Sequence, residues 1–498
     1  MNPALDIAAV VLVLVATVVL GAMGVRFSRT TGDFFVASRS VRSVWNASAI
    51  SGEYLSAGTF LGLAGLVLLV GADGFWFPIG YAAGYLLLLL FVAAPLRRSG
   101  AYTIPDFIEA RLESKAVRRL TSVLVVVIGW LYIVPQLHGA SLALKVVADL
   151  PEWAGAVVVA VVVCGLVAAG GMRAITVVQG MQYWLKLTAL LVPAVVLLIA
   201  LSGREPELSP ALEPLQAFPV ELGPAATHPY ATGSLMLALL LGTIGLPHVL
   251  VRFYTSPDGG SARRTTVLVV AMIGAFYAVS GTMGLIARVV TPDLAHPGLA
   301  DTVVLALPSR VLPGPVGTLL TALVVAGAFA AFLSTSSGLV VSLAGVISQD
   351  VFDGSVRSFR LSAVLCVVVP LGVALLTGPE ALVSSVGTVF LVAATSLTPV
   401  ILLGVWWRGL TARGAAAGML VGALTCGAAL LGSALVGETL SGADAALAAA
   451  LLAQPAAWAI PLATAVVIVV SLRDRDRVPS RADRYLARLH LPERRREA

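Results

Sequence analysis

The sequence predicts an all-α polytopic membrane protein, and three observations carry that expectation. Of its 498 residues, 58% are hydrophobic and only 12% charged, about half the charged fraction of a typical soluble domain. Its mean hydropathy is +0.96. Apolar runs of the roughly 20 residues needed to cross a bilayer recur from Leu5 to Leu472. So few charges cannot clothe a soluble surface, which excludes a soluble enzyme, a disordered scaffold and a nucleic-acid-binding domain. The net charge of +6 therefore reads as membrane topology rather than as a polyanion-binding surface.

About thirteen spans follow from runs near 5–24, 44–70, 74–96, 117–149, 153–170, 174–202, 232–251, 264–289, 313–346, 360–377, 381–405, 412–436 and 447–471. The first run lacks a basic flank and is not read as a cleavable leader. With the N-terminus outside, alternate loops hold 27 of the 32 Lys and Arg residues. That bias predicts an N-out, C-in protein of the plasma membrane with an odd number of spans. The Pro-rich, acidic stretch 203–231 reads as an extracellular cap. The charged tail 473–498 reads as a solvated topology anchor, with a basic helix along the inner leaflet as the alternative. Cys164, Cys366 and Cys426 fall within apolar runs without CxxC spacing, so buried thiols are expected, not disulfides or metal sites.

Two spans are interrupted by small and polar residues. Span 2 contains Ile50-Ser51-Gly52-Glu53-Tyr54-Leu55-Ser56-Ala57-Gly58-Thr59, and span 7 contains Gly242-Thr243-Ile244-Gly245-Leu246-Pro247-His248. Non-helical backbone is tolerated at membrane depth only where it lines a site or cavity. The two breaks lie five spans apart, so each opens a five-helix unit. Matched breaks of this kind point to an inverted-repeat transporter. In span 9, Ala331, Ser334 and Thr335 share one helix face at i, i+3 and i+4. A carbonyl and two hydroxyls there suit a small, hard cation, with further carbonyls supplied by the broken helix. Glu53 and Lys186 are intramembrane charges, functional by default, and are candidates for coupling. Gln136, His138, Gln179 and Gln182 are polar residues within reach of a central cavity, while Lys145 reads as a snorkelling residue at the outer end of span 4.

These residues resemble the sodium:solute symporter family. The strongest match is Gly245-Leu246-Pro247-His248-Val249-Leu250-Val251-Arg252-Phe253, in which Pro247, His248 and Arg252 form the structural signature. Asp33-Phe34-Phe35-Val36-Ala37-Ser38-Arg39-Ser40, Gly62-Leu63-Ala64-Gly65 and Gly170-Gly171-Met172-Arg173-Ala174 follow the family's order, and the likeness runs from Asp33 to about Trp407. The wording around Glu53 and Arg252 is most similar to the acetate and monocarboxylate permease branch. The resemblance implies a leucine-transporter-type 5+5 inverted repeat, with one helix before the core and two after it. It places sodium ligands at Gly52, Leu55, Ala331, Ser334 and Thr335. Gln179 stands where some members carry a carboxylate near a second cation site, so one sodium is expected.

The chain is then a single transporter domain. Its core repeats lie near 44–202 and 232–405, with peripheral helices at 5–24, 412–436 and 447–471. The expected activity is sodium-coupled symport of a short-chain monocarboxylate such as acetate, propionate or pyruvate by alternating access. Tyr54, Gln136, Gly242 and Thr243 are the candidate substrate wall. A half-helix N-terminus offers free amides and a positive dipole end to a carboxylate. The partners are Na+, a small organic anion and the lipid bilayer; the functional unit is read as a monomer, without resident cofactor or nucleic acid. Rival readings are proton coupling, an amino-acid or other solute in the same fold, and a membrane solute sensor. No Ser/His/Asp, HExxH or paired-carboxylate arrangement suggests an enzyme.

Overall fold

In hydrocarbon every backbone N–H and C=O must be satisfied within the protein, so apolar runs become helices. A computed structural model of the chain describes residues 2–25, 41–202, 229–296, 298–378, 382–436 and 443–491, and among these there is no strand. The expected cap 203–231 lies outside them except for its last three residues, as does the Asp33–Ser40 motif.

The helices are α1 (Pro3–Val25), α2 (Ser43–Tyr54), α3 (Leu63–Val70), α4 (Trp76–Leu87), α5 (Ala93–Ser99), α6 (Ile104–Leu112), α7 (Lys115–Ala148), α8 (Glu152–Ser202), α9 (Pro229–Gly245) and α10 (Pro247–Val251). They continue as α11 (Gly259–Val290), α12 (Val303–Val311), α13 (Pro315–Asp350), α14 (Val356–Leu376), α15 (Leu382–Ser396), α16 (Thr398–Trp406), α17 (Ala412–Val436), α18 (Ala443–Ala453), α19 (Ala456–Arg473) and α20 (Ala482–His490). Ends outside the apolar runs are capped by side chains. Thr103 and Asp106 form a reciprocal capping box on α6, and Asp258 accepts from Ser261 N at 2.7 Å to start α11.

Among the described residues, nine helices are long and apolar enough to cross a membrane, or eleven with two bent pairs. This does not recover the thirteen spans expected. The difference sits in two continuous stretches, Gly58–Ser99 of 42 residues and Glu152–Ser202 of 51. The second would be about 77 Å long at 1.5 Å per residue. It is turned at Gly171, whose φ of 59° and ψ of −161° lie where an L side chain is strained. The runs 44–70 and 74–96 part the first near Gly71, and 153–170 and 174–202 part the second near Gly171; both glycines have positive φ.

The bent pairs are α9–α10, by 43°, and α15–α16, by 42°. α13 is the central helix: 78% of its apolar window is buried, against 28% for α1. It packs against α8, α7, α1 and α2. The three cysteines are free thiols; Cys366 and Cys426 are buried, whereas Cys164, expected to be buried, is only half-buried.

The tail departs from the solvated anchor expected. Its helix α20 is seated on the protein, with Leu489 fully buried. Arg98 Nη1 donates to Leu489 O at 3.2 Å, Arg488 Nε returns a bond to Arg98 O at 3.2 Å, and His490 Nε2 lies 2.9 Å from Val405 O. Ala482 and Leu489, two turns apart on one face, are buried while Arg481 and Asp483 between them and solvent stay exposed. This amphipathic face holds α20 to the helix ends.

Candidate cation and substrate site

The first core helix breaks at Leu55, whose φ of −75° and ψ of 89° leave the helical region. A single π-turn, Gly58–Gly62, then leads into α3. A break at this depth frees backbone groups that would each cost several kcal/mol unpaired in hydrocarbon, and side chains from three other helices take them up. Lys186 Nζ donates to Gly52 O, to Leu55 O at 2.7 Å and to Ser334 Oγ at 2.9 Å. Thr335 Oγ1 donates to Glu53 O at 2.6 Å. Gln136 Oε1 accepts from Ala57 N at 2.8 Å.

Three of the five expected sodium-ligand residues thus meet at one ammonium, and a fourth joins them through Ser334. Gly52, Leu55 and Ser334 bond it directly, and Ser334 Oγ also donates to Ala331 O at 3.0 Å. Thr335 points one residue along the same broken backbone. All five residues, and Lys186 with them, are buried. Lys186 stands at the centre of this shell rather than beside it.

Beside it lies a buried ion pair. Arg252 Nε is 2.6 Å from Glu53 Oε2, with both side chains at most 2% exposed. Arg252 Nη1 donates to Thr176 Oγ1 at 2.8 Å, and its Nη2 donates to Gln179 Oε1. The Gln179 amide donates in turn to Ser334 O at 2.7 Å. Gly338, one turn beyond Ser334 on α13, is pressed against the Glu53 carboxyl, so a Cβ there would collide with it. The cluster sets one carboxyl group, that of Glu53, beside two basic side chains, Arg252 and Lys186.

The candidate substrate residues divide. Thr243 uses its one proton on Leu239 O at 2.9 Å, so Tyr54 is the donor in the 3.2 Å Tyr54–Thr243 bond. Gly242 lies against the Phe390 carbonyl. These three meet where α2, α9 and α15 converge. Gln136 does not line the wall freely, because its amide oxygen caps the restart of the broken helix. His138 faces Ala374 O at 3.1 Å, and Gln182 donates to Thr17 Oγ1 at 3.1 Å, tying α8 to α1. Lys145 pairs with Glu152 at the exposed end of α7.

An aromatic cage around Tyr54 was not singled out in the sequence. Its ring meets those of Tyr85 at 4.6 Å and Tyr81 at 5.6 Å, both edge-on, and Tyr132 stands 5.1 Å from His248. The hydroxyls of Tyr81 and Tyr85 and both ring nitrogens of His248 are buried without a hydrogen-bond partner. An unpaired buried polar group costs about 1–3 kcal/mol, so these atoms are poised for a polar guest. Tyr81 and Tyr85 share a face at i and i+4, and that spacing was the available signal. Pro247 opens α10 at its first turn, where its missing N–H costs nothing.

The profile of the sodium:solute symporter family matches residues 34–422. The chain belongs to that family. This sodium:solute symporter is 32% identical over 421 residues to YwcA, an uncharacterised symporter of Bacillus subtilis, covering 81% of each chain. It is 32% identical over 455 residues to a monocarboxylic acid transporter of Corynebacterium glutamicum, covering 84% of this chain and 82% of that one. In fold it is similar to a Na+-coupled sialic acid symporter solved substrate-bound and outward-open, with a TM-score of 0.67 at 16% identity over 93% of this chain and 98% of that one. It is also similar to Mhp1, a nucleobase-cation-symport-1 transporter solved in a closed conformation, with a TM-score of 0.53 at 13% identity over 91% and 98%. The fold is therefore of the leucine-transporter type, and the protein is a sodium-coupled solute symporter, not an enzyme.

Proposed function

We propose that this symporter carries short-chain monocarboxylates, such as acetate, propionate or pyruvate, together with Na+. The observation that carries the reading is the aromatic cage beside the broken helix, in which the hydroxyls of Tyr81 and Tyr85 and both ring nitrogens of His248 are buried without a hydrogen-bond partner. Those phenol and imidazole groups are free to bond carboxylate oxygens, in otherwise largely apolar surroundings. Among the described residues, this cage lacks the set of acids and amides that a sugar would require. The monocarboxylic acid transporter relative, matched over most of both chains, supports the same cargo.

In this reading sodium is held by Gly52, Leu55, Ala331, Ser334 and Thr335, and it pins the broken first core helix against α13. That completes the pocket walled by Tyr54, Gly242 and Thr243. Each sodium moving down a 100 mV potential releases about 2.3 kcal/mol. The protein works as a monomeric transporter domain in the plasma membrane, N-terminus out and C-terminus in. The test is uptake of labelled acetate, propionate, pyruvate and proline into proteoliposomes under separately imposed sodium and pH gradients. Carboxylate uptake that follows the sodium gradient is expected. Uptake of proline alone, or of carboxylates under a pH gradient alone, overturns the reading.

A further inference from the structure

We propose that Lys186 is the sodium site's own cation: its ammonium holds the sodium oxygens when sodium is absent, and sodium binds by displacing it. The proposal rests on the sodium reading above. An ammonium has three donors in compact, rotatable array. Here they are matched by three acceptors, Gly52 O, Leu55 O and Ser334 Oγ, drawn from both sides of the expected cation shell. A lysine that merely paired with an intramembrane carboxylate would aim at Glu53. Instead it bonds the carbonyls of Gly52 and Leu55, which lie on either side of Glu53 in the sequence.

Two cations cannot share these oxygens, because their repulsion in a buried, low-dielectric setting is large. Sodium arrival therefore requires Lys186 to leave, and one unused acceptor belongs to the same helix. Glu53 Oε1 has no hydrogen-bond partner, and Glu53 lies between Gly52 and Leu55 in the chain. The four-carbon stem of Lys186 gives the ammonium the freedom to turn from the carbonyls toward that oxygen. Lys186 is in this sense a specificity-determining residue. It sets how much sodium is needed, and it braces the broken helix while the carrier is unloaded.

The experiment is sodium binding to the purified full-length protein, read by displacement of labelled sodium, on wild type, Lys186→Met and Lys186→Gln. Both variants are expected to bind sodium at least tenfold more tightly than wild type. Ser334→Ala should weaken sodium more in the Lys186→Met background than in wild type, where both cations lose the same oxygen. Unchanged or weaker binding in the lysine variants overturns the proposal. Should neither variant fold, lysine-labelled wild type decides it by nitrogen NMR. A sodium-dependent shift of the Lys186 resonance supports displacement, and its absence with sodium bound overturns it. These measurements need no carboxylate, so an error in the cargo leaves them readable. If the wild type binds sodium and the variants bind it no better, only the competition fails. If no protein binds sodium, the sodium reading fails with it.

Discussion

Thr335 and Ser336 are adjacent on α13, yet only one of them bonds the broken helix. Thr335 Oγ1 holds Glu53 O, whereas Ser336 Oγ is buried without a partner. Thr335→Ala is expected to cost about 1–3 kcal/mol, which at about 1.4 kcal/mol per decade is roughly a 5- to 150-fold rise in the sodium concentration for half-maximal uptake. Substrate affinity at low sodium should fall with it, because coupling between the two sites is reciprocal. Ser336→Ala removes a hydroxyl that bonds nothing and should leave both quantities within about twofold, since replacing an unpaired buried polar group costs little. Equal behaviour of the two variants in sodium-titrated uptake would mean that the hydroxyl face does not bear on the ion. Ser337 is a poorer control, because its Oγ donates to Ser334 O at 3.0 Å.

At the scale of elements, the Glu53–Arg252 pair joins α2 to the segment following α10, and Gln179 links the guanidinium to α13 through α8. Removing one partner of a buried pair leaves an uncompensated charge, at a cost of about 3–5 kcal/mol. Glu53→Gln and Arg252→Gln should each lower the thermal unfolding temperature in detergent. The double variant should fall short of the summed losses, whereas strict additivity would show that the pair acts as two independent side chains. Much of this geometry was legible in the sequence. The two broken helices followed from Gly and Pro inside apolar runs, and the Ser334/Thr335 face followed from helical spacing. What Lys186 and Gln136 bond was not legible, because each satisfies the backbone of another helix, and the sequence distance between partners carries no signal. The tyrosine cage escaped for a related reason, being assembled from α2, α4 and α7, each of which contributes only one or two rings.

At the scale of the whole molecule, the tail was misread because its basic residues dominated the composition, although an apolar face ran between them. Leu489 is completely buried beneath α20. Placing a charge there leaves it desolvated and unpaired, which is strongly unfavourable, so Leu489→Glu should release the helix. Protease added to inside-out vesicles should then cut the variant's tail faster than the wild type's, and right-side-out vesicles should protect both. Cleavage from the outside would reverse the proposed orientation. Release without any change in cleavage would mean that α20 does not shield the tail.

The chain of contacts running from Gly338 to Glu53, Arg252, Gln179 and back to Ser334 has a bearing on how such a protein can diverge. Gly338 tolerates no side chain while Glu53 keeps its length, Glu53 is bound to Arg252, and Gln179 divides its amide between Arg252 and the backbone of α13. No member of this circuit can drift alone without stranding another in the dark of the bilayer. A descendant that takes a new cargo by altering one of them must inherit the alterations as a set, or leave the circuit untouched and change the aromatic wall instead.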